Sequence, residues 1–213
     1  MIKLSGPIKT TTNKPEKLVI FLHGVGSDGN DLITLSDEIA QALPNAVFLS
    51  PNAPFPYDSY SMGYQWFSLS DYSPEKLYQG IKIALPILEN YIDENLAKYN
   101  LGYKDLVLIG FSQGTMMALQ MAPRLKESCF AVIGFSGALV NPEALEKEKT
   151  SSPPICIIHG SEDQVVPASQ HRFSVSALKK MDLLAEEHLI TGLAHSINLK
   201  AIKIAQEFLR KKL

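Results

Sequence analysis

Ser112 sits in Gly110-Phe111-Ser112-Gln113-Gly114, with the apolar run Leu106-Val107-Leu108-Ile109 before it and Met116, Met117, Leu119 and Met121 after it. A G-x-S-x-G pentapeptide between a strand and a helix places its serine on a tight turn, hydroxyl exposed above a sheet. Positions 110 and 114 then crowd together, which only small residues tolerate. A serine hydroxyl becomes a strong nucleophile when a neighbouring imidazole takes its proton. His195, in Gly192-Leu193-Ala194-His195-Ser196, follows the last apolar run and precedes the last helical pattern. Asp163, in His159-Gly160-Ser161-Glu162-Asp163-Gln164-Val165-Val166-Pro167, follows another strand pattern and is placed to hold that imidazole's tautomer. Glu162 is the neighbouring alternative. Serine, acid and histidine in this order are the ingredients of acyl transfer through a covalent serine intermediate.

Other residues compete for these roles. Ser136 in Gly134-Phe135-Ser136-Gly137 lacks the G-x-S-x-G spacing and has no amphipathic helix pattern directly behind it. Of the five histidines, His171 falls in a helical pattern read as a surface helix, and His188 lies inside the last strand pattern. His23 and His159 each end a strand ahead of a glycine, where they suit hydrogen-bonding support rather than proton transfer. An acyl-transfer site also needs two backbone N–H groups aimed at the developing oxyanion. The residue after the nucleophile, Gln113, supplies one, and the loop Leu22-His23-Gly24-Val25-Gly26-Ser27-Asp28-Gly29 supplies the other at Val25. That loop lacks the Gly-Lys-Ser/Thr ending of a phosphate cradle. Asp28 and Asp31 are read as shaping the turn and capping the next helix.

The elements that must carry these residues alternate between short β-rich runs and helical patterns. This predicts an α/β domain with a mostly parallel sheet covered by helices on both faces. Strands are expected at 18–22, 46–49, 105–109, 130–135, 155–159 and 186–190, and helices at 31–43, from 73 onward, from 112 and at 198–211. Ser73-Pro74-Glu75 is a helix start with a capping serine, and Pro86 predicts a kink or break in the pattern that follows. No repeat or linker divides the 213 residues, so residues 1–213 are read as one domain.

Composition narrows the function. The formal net charge is −2 with acids and bases interspersed, which argues against a nucleic-acid partner. Arg210-Lys211-Lys212 suits the C-terminal turn of a helix. Cys129 and Cys156 lie in apolar runs and read as buried thiols, not as a disulfide or a metal set. No apolar stretch approaches the roughly 20 residues of a membrane span, and the N-terminus lacks a signal-peptide pattern. A cytoplasmic protein without an integral membrane segment is the expectation.

Taken together, these four motifs make the chain similar to the phospholipase/carboxylesterase family, which includes the acyl-protein thioesterases. The resemblance implies an α/β-hydrolase fold with Ser112, Asp163 and His195 as triad and the Val25 and Gln113 amides as oxyanion donors. It implies no metal or organic cofactor. Its substrates would be carboxylic esters or acyl thioesters of short to medium chain, extending to a lysophospholipid or an S-acylated protein. A homodimer stays open. The family usually has Leu where this chain has Val25, a small change for a role played by a backbone N–H. A dienelactone-hydrolase-like enzyme would usually carry Cys at position 112, and a binding module on the same fold would not need all three triad residues.

Residues 50–73 show no strand or helix period, and loops that long are usually functional. Tyr57, Tyr60, Met62, Tyr64, Trp66 and Phe67 crowd into it. Met62, Tyr64, Trp66 and Phe67 are expected to form an acyl-binding wall, with core anchoring as the rival role for Trp66 and Phe67.

Overall fold

The strands Leu18-Val19-Ile20-Phe21-Leu22 and Leu106-Val107-Leu108-Ile109 are apolar at every position because both of their faces are covered. The computed structural model describes residues 2–213. Along the chain run β1 (Ile8–Thr10), β2 (Lys17–Leu22), β3 (Ala46–Leu49), β4 (Phe55–Pro56), β5 (Tyr64–Gln65), β6 (Leu106–Phe111), β7 (Ala131–Phe135), β8 (Ile155–Gly160) and β9 (Leu184–Ile190). The helices are α1 (Gly29–Leu32), α2 (Ser36–Ala40), α3 (Pro74–Tyr99), α4 (Gln113–Met121), α5 (Pro142–Glu148), α6 (Ala168–Lys180) and α7 (Leu199–Arg210).

Seven strands form one sheet in the order β1-β3-β2-β6-β7-β8-β9. All neighbours are parallel except β1, which runs antiparallel to β3 along the edge. Successive side chains of a strand point to opposite faces. Leu18, Ile20 and Leu22 therefore join the core under α3 and α4, while Val19 and Phe21 join the one under α2 and α7. Each such fully buried side chain contributes roughly 1.5–3 kcal/mol. The chain reverses its lateral direction at β2 and β6. Ligands of open parallel sheets sit at such a switch point, beyond the carboxyl ends of the strands. The loop after β2 and Ser112 after β6 both lie there.

Four readings need correction. Pro86 does not break α3, which runs unbroken over 26 residues. The proline and the Lys82 carbonyl it leaves without a donor are on the exposed side, while Ile81, Leu85, Leu88 and Ile92 hold the other side in the core. Ser73 occupies the N-cap position of α3, but its hydroxyl makes no capping bond. The 50–73 stretch contains a short antiparallel ladder, Phe55 opposite Gln65 and Pro56 opposite Tyr64. And β1 escaped notice, since its three residues are all exposed.

Candidate active site

Ser112 holds φ 54° and ψ −115° between the end of β6 and the start of α4. Positive φ in a residue with a Cβ costs on the order of 1–3 kcal/mol and persists where the surroundings over-determine it. Here they do. The Ser112 N–H donates to the Phe135 carbonyl at 2.9 Å, and the Met116 N–H donates to the Ser112 carbonyl at 3.2 Å. A Cβ on Gly110 would lie 2.5 Å from the Gly114 backbone, and one on Gly114 would lie 1.8 Å from the Leu22 carbonyl oxygen. The two glycines let β6 turn into α4 tightly enough to lift Ser112 above the sheet.

The acid and base loops are stitched together. The Ser161 and Glu162 amides donate to the Ile190 and Leu193 carbonyls at 2.9 and 3.0 Å, and the Ser161 hydroxyl accepts the Gly192 N–H at 2.9 Å. A side chain on Gly160 would strike the Leu193 carbonyl oxygen, so the loop carrying His195 lies directly on the one carrying Asp163. His195 Nδ1 is 2.7 Å from Asp163 Oδ2. Asp163 is buried, while Glu162 is exposed. The ring of Phe111, next to Ser112 in sequence, packs on the His195 ring at 4.8 Å between centroids. The structure thus gathers Ser112, Asp163 and His195 at one end of the sheet, each on a different loop.

The remaining histidines sort by environment. His159 Nε2 donates to the Val166 carbonyl at 2.8 Å and lies 3.4 Å from Asp163 Oδ2, so it braces the acid's loop. His171, read from sequence as a surface residue, is buried against His159 with ring centroids 5.1 Å apart, because α6 turns that face onto the sheet. Burial pushes the His159 imidazole below its usual range and His171 down to about 4. His188 on β9 pairs with Glu186 at 3.1 Å, and Glu186 with Lys211 at 2.8 Å. Cys156, Glu186 and His188 bring donor atoms within 4.8 Å of one another, away from the carboxyl end of β8. Burial pushes the Cys156 thiol up to about 12, and Lys211 already neutralises Glu186, a poor start for a metal centre. Ser136 is buried at φ 48° with its N–H on the Ile158 carbonyl at 2.9 Å, and the next helix begins only at Pro142.

The early loop reaches the nucleophile. A Cβ on Gly24 would lie 3.4 Å from the Ser112 Cβ. Among the described residues, the loop's own backbone bonds use the amides of Gly26 and Ser27 and leave out that of Val25. The Gln113 N–H belongs to the first turn of α4, where donors have no intrahelical acceptor. Asp28 caps α1 by accepting the Asn30 N–H at 2.8 Å, and Ser27 donates to Asp31 at 2.9 Å.

A groove of about 630 Å³ opens beside Ser112, Val25 and Gln113. Its walls are mostly apolar: Leu77 of α3, Met116 of α4, Leu139 and Val140 after β7, Val166, and Phe173 of α6. None of Met62, Tyr64, Trp66 and Phe67 is among its lining residues. Trp66 and Phe67 are core residues, 0% and 1% exposed, and Met62 is 80% exposed on the hairpin. The hairpin has a different task. Tyr64 exchanges backbone bonds with Gly26 and Ser27 at 2.8 Å each, bracing the early loop from outside. The buried Gln113 side chain accepts the Trp66 N–H and donates to the Phe67 carbonyl, both at 2.8 Å, tying hairpin to α4. Sequence reasoning credited Gln113 only with its amide; a glutamine in the first turn of a buried helix was the available signal.

Comparison with known proteins identifies the family. A profile of the family described as Phospholipase/Carboxylesterase matches residues 6–213. The chain is 28% identical over 206 residues to acyl-protein thioesterase 1 homolog 2 of Dictyostelium discoideum, covering 92% of each. It is 24% identical over 199 residues to the esterase YpfH of Escherichia coli, covering 93% of this chain and 84% of that protein. The crystal structure of esterase PE8 superposes over 100% of both chains with a TM-score of 0.94 and 38% identity.

Proposed function

This chain belongs to the phospholipase/carboxylesterase family of ester and thioester hydrolases, and on that premise we propose Ser112 as its nucleophile, His195 as its base and Asp163 as the group that orients the base. The observation that carries the assignment is the 2.7 Å contact of His195 Nδ1 with buried Asp163, next to a serine at positive φ on a glycine-flanked turn. With Asp163 ionised, Nδ1 carries the proton and Nε2 is left as the acceptor for the Ser112 hydroxyl.

The Ser112 Oγ attacks the acyl carbonyl carbon while His195 Nε2 takes its proton. The carbonyl oxygen becomes an oxyanion facing the Val25 and Gln113 amides, and Asp163 stabilises the imidazolium. Collapse of the tetrahedral adduct expels the alcohol or thiol, which leaves with the proton from His195. Water then repeats the sequence on the acyl-serine, releasing the acid and regenerating Ser112. The apolar groove suits a short to medium acyl chain, as pockets for such groups are mostly apolar. The thioesterase names among its relatives bring acyl thioesters, S-acylated protein included, within the proposed range.

Labelling with a fluorophosphonate tests the assignment, because only an activated serine reacts quickly. Wild type should label at Ser112 and hydrolyse acyl esters, and Ser112→Ala should do neither. A folded wild type inert to the probe and to a panel of esters and thioesters would instead favour a binding module.

A further inference from the structure

His23, immediately after β2, is fully buried, and both of its ring nitrogens and its carbonyl are engaged. Its Nε2 lies 2.9 Å from the Ala53 amide nitrogen, its Nδ1 lies 2.7 Å from the Gly24 carbonyl oxygen, and its own carbonyl accepts the Trp66 indole N–H at 3.0 Å. These contacts fix the tautomer. A backbone amide can only donate, so Nε2 must present its lone pair to Ala53, and the proton must sit on Nδ1. Nδ1–H therefore donates to Gly24. Burial keeps the ring neutral by holding its pKa below the usual histidine range, against the opposing pull of the Gly24 hydrogen bond and of Asp28 and Asp31.

The Gly24 carbonyl receives a second donor, the Ser27 N–H at 3.3 Å. Two donors thus hold that oxygen in place. The peptide bond between Gly24 and Val25 is trans, as are all those of the described residues. In a planar trans peptide the carbonyl and the following N–H point in opposite directions. The same peptide packs beside Ser112, and Val25 lines the groove. Turning the Gly24 oxygen toward His23 turns the Val25 N–H to the opposite side of the peptide, away from His23.

We infer that His23 is a positioning residue for the oxyanion site: by binding the Gly24 carbonyl it fixes the peptide plane that presents the Val25 N–H. This rests on the reading of Ser112 as nucleophile and the Val25 amide as donor. A histidine that merely filled the core would need its volume, not its Nδ1 proton.

Two near-isosteres separate these roles. His23→Asn puts a side-chain N–H close to the place of Nδ1 and keeps a donor for Gly24. His23→Gln reaches the place of Nε2 instead, keeping an acceptor for Ala53 and losing the donor. With a short acyl ester, His23→Gln should lose on the order of a hundred-fold in kcat, the scale of one lost oxyanion donor, with KM near wild type. Its affinity for an alkylboronic acid, which forms a tetrahedral adduct on serine, should fall in step. His23→Asn should keep most of both. Equal losses in the two variants, or losses confined to thermal stability, would overturn the inference. Imidazole ¹⁵N spectra of the wild type, with the His23 signals assigned as those missing from the His23→Gln spectrum, test it on the native ring. They should show a neutral ring protonated at Nδ1, and a ring protonated at Nε2 would overturn it. Ser112→Ala separates this inference from its premise. An active Ser112→Ala would remove the premise, whereas an inactive Ser112→Ala beside a wild-type-like His23→Gln would remove this inference alone.

Discussion

Asp163 divides its two carboxylate oxygens between His195 and its own loop. Oδ2 lies 2.7 Å from His195 Nδ1, while Oδ1 accepts the Val165 and Val166 amides at 2.9 and 2.8 Å. The backbone bonds hold the carboxylate still, so the imidazole meets an acceptor already in place. Asp163→Asn should keep the fold but turn an amide N–H toward His195 and favour the wrong tautomer. Turnover should fall on the order of ten-thousand-fold. Exposed Glu162→Gln should stay close to wild type. A reversed order in steady-state kinetics would move the acid to Glu162.

Gly114 at the start of α4 and Gly192 in the last loop differ in what a methyl group would meet. On Gly114 it would lie 1.8 Å from the Leu22 carbonyl oxygen, between β2 and α4 where nothing can yield. Gly192 has φ +76° but open space around it, so only the backbone conformation is strained. Urea denaturation should show Gly192→Ala losing roughly 1–2 kcal/mol. Gly114→Ala should lose several times more or fail to yield folded protein. Equal losses would mean that the turn at Ser112 has slack the close contacts do not suggest.

The gathering of the three candidate catalytic residues was more legible in the sequence than the groove beside them. Ser112, Asp163 and His195 each sit in a strand-to-loop context with local signals, and adjacency at one end of a parallel sheet follows from the topology. The groove has no such signature. Leu77, Leu139 and Phe173 look like ordinary apolar positions, and only packing of the N-terminal ends of α3, α5 and α6 near Ser112 leaves them lining a gap. Trp66 and Phe67 misled for the same reason. Aromatics in an aperiodic segment suggest a flap, but long-range bonds from Gln113 and His23 draw these two into the core. His171 was misplaced because nothing local shows that α6 turns that side inward.

Buried neutral histidines make stability depend on pH. His23, His159 and His171 all have pKa values pushed down by burial, His171 to about 4. The unfolded chain, with histidine near ~6.5, binds more protons than the fold as pH drops below that value. Stability is therefore complete above ~6.5 and declines as pH falls toward 4, by up to about 1.4 kcal/mol per pH unit for each such ring. His171 faces His159, Arg172 and Glu187, and its Nδ1 has no hydrogen-bond partner among the described residues. His171→Leu should flatten the decline by one proton's worth, measured by urea titrations across this range. An unchanged slope would mean that His171 is protonated in the fold or titrates normally.

The groove walls, not the hairpin, should set acyl length. Leu77 lines the groove from the first turn of α3, whereas Met62 stands 80% exposed on the hairpin and outside it. Each methylene that reaches an apolar wall contributes up to ~0.8 kcal/mol, about four-fold in kcat/KM if held in the transition state. Wild-type kcat/KM on p-nitrophenyl esters should climb with chain length until the groove is filled and then level off. Leu77→Trp fills part of the channel without touching the triad, so acetate should react as in wild type while longer esters lose roughly ten-fold or more, the contact of about two methylenes or more. Met62→Ala should reproduce the wild-type profile at every length. If Met62→Ala shifts the optimum and Leu77→Trp does not, the acyl chain runs along the hairpin, and the groove between α3, α5 and α6 receives the alcohol or thiol side of the substrate instead.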